Sequence, residues 1–190
     1  MTDRRLIEAM RLEPNITQAA LAEKLGLTQP SVSARIKHLK DAGILVSRVG
    51  VDIKKLGLVV GAVSLSTSVP YYFLSKFKGC PCFIEGSVIG GEQNLFLMFA
   101  GEDYRSLQSI VDRRLRSDRR VRDADLHVVS GLESAALCPV LFVEKGTKSP
   151  CGAICSQCAP YKEGACLGCP ATWDYRGSFW AHGGRQPTSP

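Results

Sequence analysis

Residues 17–45 constrain the fold of this chain more than any other segment. Apolar residues at helical spacing lead to Gly26, a residue that suits the left-handed backbone at the end of a helix. Thr28 then stands where a second helix needs an N-cap, and Pro30 falls in the first turn, where a missing N–H costs nothing. The segment therefore predicts two short helices joined by a tight turn.

The second of these helices has one apolar and one polar face. Val32, Ile36 and Leu39 repeat at i, i+4 and i+7, which predicts a buried stripe. Gln and Arg on the other face can read base edges, whereas Ser, Lys and His more often bind phosphates. The pattern predicts a recognition helix for the DNA major groove and a winged element beginning in residues 43–48, with an ordinary amphipathic helix pair as the alternative. The predicted DNA contacts are Thr28, Gln29, Ser31, Ser33, Arg35, Lys37, His38 and Arg48.

Charge and composition agree with a DNA ligand. The net charge is +6, and in residues 1–50 Lys and Arg outnumber Asp and Glu by 8 to 5, which suits a polyanionic partner. No apolar run reaches the length of a membrane span, and the first residues form a charged helix instead of a signal peptide. We therefore expect a cytoplasmic protein with no membrane partner. In that compartment, the 8 cysteines favour metal or redox chemistry over structural disulfides.

Residues 51–145 alternate between strand-like and helix-like periodicities. The order strand, helix, strand, strand, helix, strand is typical of the ferredoxin-like βαββαβ fold. The predicted elements span residues 58–66, 69–78, 82–89, 94–100, 102–116 and 121–130. The chain is thus predicted to be an α+β protein with three parts. These are a winged helix-turn-helix domain (1–50), a ferredoxin-like domain (51–145), and a small metal-bound cysteine module (146–190).

The cysteine module carries the second strong motif. Five cysteines fall within 19 residues, and two Cys-x2-Cys pairs can direct four thiolates to one point, as tetrahedral zinc or an iron–sulfur cluster requires. The predicted metal ligands are Cys151, Cys155, Cys158, Cys166 and Cys169. Four ligands complete either site, so the fifth thiol, with Cys151 the first candidate, remains as a redox handle. We favour a [4Fe–4S] cluster slightly over zinc, and a metal-free dithiol switch is the third option.

Two further segments receive structural interpretations. Cys80-Pro-Cys82 stands where a small apolar residue would pack before a strand, so both thiols are predicted to lie in the core. A direct disulfide between them would be strained at such close spacing. The arginine-rich segment 113–122 is diluted by aspartates, and we interpret it as a solvated helix end.

Residues 3–135 resemble the leucine-responsive regulator/AsnC family of transcription factors. The matching segments are Arg35–Leu39, Gly43–Leu45, Val51–Gly57 and Gly90–Phe96. The resemblance implies a homodimer or a higher assembly of dimers, formed through the ferredoxin-like domains. It also implies a small-molecule effector, often an amino acid, bound near Gly90, Gly91, Glu92 and Asn94. This chain departs from the family in having Asn94 where an Asp is usual, and in its carboxy-terminal cysteine extension.

These observations together predict a sequence-specific regulator that binds double-stranded DNA and whose operator binding responds to a metal or iron–sulfur centre. One alternative is an amino-acid-responsive regulator of the same family in which zinc is purely structural. A second alternative is an iron–sulfur redox protein or enzyme with an incidental helical head. No barrel pattern precedes the cysteines, and the sequence shows neither a nucleophile–base pair nor a phosphate-binding glycine loop. We therefore predict that the chain is not an enzyme.

Overall fold

The structure is a computed structural model, and its described residues fall into several stretches. These are residues 2–46, 51–53, 55–131 and 141–181, together with the backbone of 137–138. The chain divides into two compact units, Met1–Arg48 and Val49–Pro190. Each unit has its own apolar core and is described separately below.

The first unit consists of three helices, α1 (Thr2–Leu12), α2 (Gln18–Leu25) and α3 (Gln29–Asp41). Thr17 caps α2, because its Oγ1 accepts a hydrogen bond from the N–H of Ala20 at 3.2 Å. Gly26 ends that helix in the left-handed region, at φ +66°. The predicted turn between the two helices is thereby confirmed. The buried residues of the three-helix core are Leu6, Ala9, Leu21, Ala22, Val32, Ile36 and Leu39.

The second unit contains the predicted βαββαβ order. Its elements are β1 (Val51–Asp52), β2 (Val59–Thr67), α4 (Pro70–Phe77), β3 (Phe83–Val88), β4 (Leu95–Gly101), α5 (Tyr104–Val111), β5 (Val121–Val128) and β6 (Leu137–Cys138). The strand order of the main sheet is β3-β4-β2-β5, and neighbouring strands are all antiparallel. β1 and β6 form a separate two-stranded ribbon. This arrangement confirms the predicted ferredoxin-like sheet.

Both helices pack on one face of the main sheet. Alternate strand residues such as Val63 and Phe99 meet Phe77 of α4 and Leu107 of α5 in the larger core. The opposite face has a smaller apolar cluster that includes Val60 and Ala100, and this cluster also contains Trp180. The carboxy-terminal segment therefore packs against the sheet.

Residues 141–181 contain little regular structure. A 3-10 turn (Cys155–Gln157) leads into the short helix α6 (Ala159–Lys162), and Gly146 pairs with Thr172 in an isolated bridge. The module docks on the start of α5 through hydrogen bonds. The Leu167 N–H donates to Ser106 Oγ at 3.1 Å, and Glu102 accepts from Tyr175, Ser178 and Phe179. The cysteine module is thus part of the same compact unit as the ferredoxin-like domain.

Candidate functional site

The polar face of α3 lies where the sequence predicts it. Val32, Ile36 and Leu39 are buried beneath the helix, as expected for its apolar stripe. Most of the predicted DNA contacts are exposed, and only two of those described are half-buried, Ser31 and Arg35. The exposed ones are Thr28, Gln29, Ser33, Lys37 and His38. A continuous polar surface is therefore available to a DNA groove.

Arg35 differs from its neighbours because it is paired within the helical unit. Its Nη1 donates to Asp3 Oδ1 of α1 at 2.9 Å, and both side chains are partly exposed. Arg35 therefore links α1 to α3, and a contact with a base edge would require it to leave Asp3. Its role in DNA reading stays a prediction. Arg48 lies outside the described residues.

The described part of the predicted wing exposes apolar side chains. Gly43 adopts a left-handed φ of +67° directly after α3 and turns the chain. Ile44 and Val46 then point their side chains into solvent, with exposures of 63% and 61%.

The predicted effector turn forms the hairpin between β3 and β4. Asn94 Oδ1 accepts from the Thr67 N–H at 3.0 Å, and Asn94 Nδ2 donates to the Thr67 carbonyl at 2.8 Å. An aspartate at this position could accept the first hydrogen bond but could not donate the second. The departure from the family pattern therefore gives Asn94 a structural role at the end of β2. Effector binding by Gly90, Gly91, Glu92 and Asn94 stays a prediction.

The Cys166–Cys169 turn, called the knuckle below, is a tight turn that depends on Gly168. Gly168 adopts φ +84°, and a Cβ at this position would lie 2.8 Å from the Asp174 carbonyl oxygen. The Gly168 N–H donates to Cys166 Sγ at 3.4 Å, and the Cys169 N–H donates to Cys155 Sγ at 3.2 Å. Such N–H···S hydrogen bonds orient and stabilise thiolate ligands around metal centres.

A cavity of about 80 Å³ lies between this module, α5 and the corner that joins α4 to β3. All seven cysteines whose side chains the structure describes line it, and all seven are free thiols. They are Cys80, Cys82, Cys151, Cys155, Cys158, Cys166 and Cys169. The structure therefore brings together the five predicted ligands and adds two thiols from the ferredoxin-like domain. The side chain of the eighth cysteine, Cys138, lies outside the described residues.

The predicted burial of Cys80 and Cys82 is confirmed, with exposures of 4% and 6%. A hydrogen bond between the two thiols lowers the pKa of Cys80 and, together with burial, raises the pKa of Cys82. Burial also raises the pKa of Cys155 and of Cys169. The sequence analysis missed that the Cys80-Pro-Cys82 corner faces the module. The available signal was a Cys-x-Cys pair in a chain with a second cysteine cluster.

The thiols surround the cavity without converging on one point. Among the residues that the structure describes, no three or more Cys, His, Asp or Glu side chains are grouped to hold a metal ion. Arg113 and Arg114, at the end of α5, line the same cavity. The remainder of this arginine-rich segment is exposed or pairs locally, as Arg116 does with Asp112 at 2.7 Å. These exposures agree with the predicted solvated helix end, although Arg113 and Arg114 also line the cavity.

Comparison with known proteins defines the class of the chain. Residues 2–46 match the winged helix-turn-helix DNA-binding family. The transcriptional regulator AzlB of Bacillus subtilis is 26% identical over 139 residues, covering 70% of this chain and 88% of AzlB. An uncharacterised HTH-type transcriptional regulator of Pyrococcus abyssi is 30% identical over 126 residues, covering 63% of this chain and 84% of the relative. The structure of Escherichia coli AsnC has a TM-score of 0.61 at 20% identity, covering 70% of this chain and 93% of AsnC.

The chain is therefore a DNA-binding transcription regulator and not an enzyme. It belongs to the leucine-responsive regulator/AsnC family, as its winged helix-turn-helix, its antiparallel sheet and its relatives together show. The family resemblance seen in the sequence is thereby confirmed. Among the helices that the structure describes, none is long and apolar enough to cross a membrane.

Proposed function

We propose that this regulator controls its affinity for an operator through a metal centre held by the cysteines around the cavity. The observation that carries the proposal is that seven free thiols line one cavity. Cysteine thiolates are the preferred ligands of zinc and of iron–sulfur clusters. The N–H···S hydrogen bonds to Cys166 and Cys155 support a role for these sulfurs beyond packing.

Of the two kinds of centre, the cavity favours a [4Fe–4S] cluster over zinc. Its volume of about 80 Å³ exceeds by several times the ~10–15 Å³ that one water molecule needs. Thiols spread around such a space suit a group of several atoms better than one ion. Side-chain rotation and closure of the module on binding would complete the ligand set, since formation of such sites is coupled to folding. Arg113 and Arg114 would offset the negative charge of a thiolate-bound centre.

DNA reading is assigned to the exposed face of α3. A homodimer, or an assembly of dimers, would present two such helices to half-sites about 34 Å apart along the duplex. Because operator DNA lies on the chromosome, we expect the protein to act in the cytoplasm. The coupling runs through the packing of the cysteine module on α5, where Glu102 and Ser106 hold the module. A change of occupancy would shift this packing and alter the spacing of the two recognition helices within the dimer.

The test begins with protein purified without oxygen and analysed for metal and acid-labile sulfide. About four iron and four sulfide per chain, the content of one cubane cluster, is the expected result. Operator duplexes selected from random DNA by the full-length protein are then titrated with loaded and metal-depleted protein. A difference of about 5–150-fold in affinity, typical of allosteric coupling, supports the proposal.

Two results would overturn parts of this proposal. If the protein neither retains nor takes up iron or zinc, the proposed metal centre is excluded. About one zinc per chain with equal operator affinity in the loaded and depleted forms would leave only a structural metal. The search for an input would then return to the turn containing Asn94, with a thermal-shift screen of amino acids as the assay.

A further inference from the structure

We infer that the Cys80-Pro-Cys82 corner supplies thiolate ligands to the metal centre, so that the centre is shared between the ferredoxin-like domain and the cysteine module. This inference rests on the proposed metal-binding function. Cys80 and Cys82 are as buried as ordinary core cysteines and lie outside the five-cysteine motif. The inference gives them a role in binding the metal.

The corner holds its two thiols on a rigid backbone. The Cys80 N–H donates to the Phe77 carbonyl at 2.8 Å, and the Phe83 N–H donates to the Cys80 carbonyl at 3.0 Å. The Cys82 carbonyl accepts from the Ala100 N–H of β4 at 2.7 Å. Both cysteines are therefore fixed between α4 and the sheet, as preorganised ligands need to be.

The surroundings of the corner argue against packing as its only role. Buried free cysteines often act as small apolar side chains, and both belong to the larger core. Here, however, both also line the cavity that contains the five module cysteines. Cys151 packs against the core that contains both cysteines, and a Cβ at Gly79 would lie 3.5 Å from the Cβ of Pro150. The corner thus faces the cysteine module.

A shared centre also accounts for how the module stays docked. The described module has few large buried apolar residues apart from Trp180, and Glu102 and Ser106 provide polar anchors for it. A metal bonded to both sides would join them directly. Loss of the metal would then release the module from α4 and β3, which connects occupancy to the dimerisation sheet.

The test compares two double variants of the full-length chain. Cys80→Ala/Cys82→Ala removes the corner thiols, and Cys166→Ala/Cys169→Ala removes the knuckle thiols. Val63→Ala is the matched control, because it takes a similar volume from the same core without removing a thiol. Each protein is reconstituted anaerobically with iron and sulfide and, separately, titrated with Zn²⁺. We expect both double variants to lose affinity for the metal at least about tenfold, while Val63→Ala retains it.

The outcomes separate this inference from the proposed function. If the wild type binds metal and the Cys80→Ala/Cys82→Ala variant binds it equally well, the shared centre is overturned. The regulator proposal then still stands. Wild-type protein that binds no metal overturns both. If the double variant does not fold, a crystal structure of the metal-loaded wild type decides. A bond from the metal to the sulfur of Cys80 or Cys82 supports the inference, and coordination by module cysteines alone refutes it.

Discussion

Gly168 sits in the Cys166–Cys169 knuckle at a backbone conformation that other residues rarely adopt. Substitution Gly168→Ala forces a Cβ into the left-handed region at φ +84° and to 2.8 Å from the Asp174 carbonyl oxygen. We expect a loss of about 1–3 kcal/mol in stability and faster removal of metal by a chelator. Gly164→Ala is the matched control, since Gly164 has φ +73° but open space around its Cβ position. Equal metal retention by the two variants would show that the knuckle does not depend on Gly168.

Lys37 and Arg35 occupy the same helix but have different surroundings. Lys37 is exposed, so Lys37→Ala should leave the melting temperature unchanged and reduce the salt dependence of operator binding by about one phosphate contact.

Arg35→Ala should weaken operator binding and also reduce stability by up to about 1 kcal/mol, because it breaks the partly exposed ion pair with Asp3. Fluorescence anisotropy across a salt series and thermal unfolding measure the two effects.

Asp3→Asn is the control for these variants, because it removes the ion pair and keeps the Arg35 side chain. If Arg35 serves DNA, Asp3→Asn should retain or increase operator affinity while losing the same small stability. If Arg35→Ala binds the operator as tightly as wild type at physiological salt, this arginine has only a structural role.

The periodicity of apolar residues in the sequence predicts the secondary-structure elements well but predicts the tertiary contacts between them poorly. The four sheet strands were located to within about two residues, because alternation and turn residues are local signals. The predicted helix 102–116 is in fact α5 followed by a π-helical turn at Asp112–Arg116. A π turn keeps the same apolar residues on the buried side, so the sequence pattern does not reveal it. The approach of Cys80 and Cys82 to the module depends on chain folding and has no local signature.

Glu102, just before α5, anchors the carboxy-terminal segment to the sheet domain. Its carboxylate accepts from the Tyr175 hydroxyl and from the N–H groups of Ser178 and Phe179, the last two at 2.9 and 2.7 Å. Glu102→Ala leaves these donors without their acceptor, and we expect about 1–3 kcal/mol of destabilisation. Acrylamide quenching in a Trp173→Phe background should show greater access to Trp180, which is 5% exposed in the docked state.

Glu85→Ala, which removes an exposed carboxylate from β3, provides the matched control for Glu102→Ala. It should leave both the quenching and the melting temperature unchanged. Identical quenching of Trp180 in all three proteins would mean that the aromatic packing holds the segment without Glu102.

The same anchor makes docking depend on pH at both extremes. Burial opposes the charge of Glu102, but hydrogen bonds from Tyr175 and from Ser178 and Phe179 outweigh it and lower its pKa. Docking is therefore complete above the ordinary glutamate pKa of about 4.3 and is lost as pH falls through the lowered value. Burial and the bond to Glu102 raise the pKa of Tyr175, so docking persists to about pH 10 and weakens above it.

Trp180 quenching in the Trp173→Phe protein should accordingly be flat between about pH 5 and 10 and rise outside that range. Glu102→Ala should remove the acid limb of this profile. An acid limb that survives in that variant would assign the effect to another carboxylate.

At the level of the whole molecule, family membership accounts for the DNA-binding head and the sheet, and the cysteine cavity is a separate feature of the same chain. The cavity lies inside the compact unit that holds the main sheet. A change at the cysteines therefore acts on the domain that would join two copies of the chain. Under the function proposed above, a metal centre takes the place of a small-molecule effector as the regulator's input.

Metal and operator must then affect each other reciprocally. If loading the centre raises operator affinity by some factor, binding the operator must raise metal affinity by the same factor, because the two equilibria form one thermodynamic cycle. Both halves can be measured on the full-length protein, by DNA titration at fixed metal and by chelator competition at saturating DNA. We expect equal factors of about 5–150, and a factor of one in the Cys166→Ala/Cys169→Ala variant. If the metal stabilises the fold of the wild type but both affinity factors equal one, the metal has only a structural role. The regulator then senses something else.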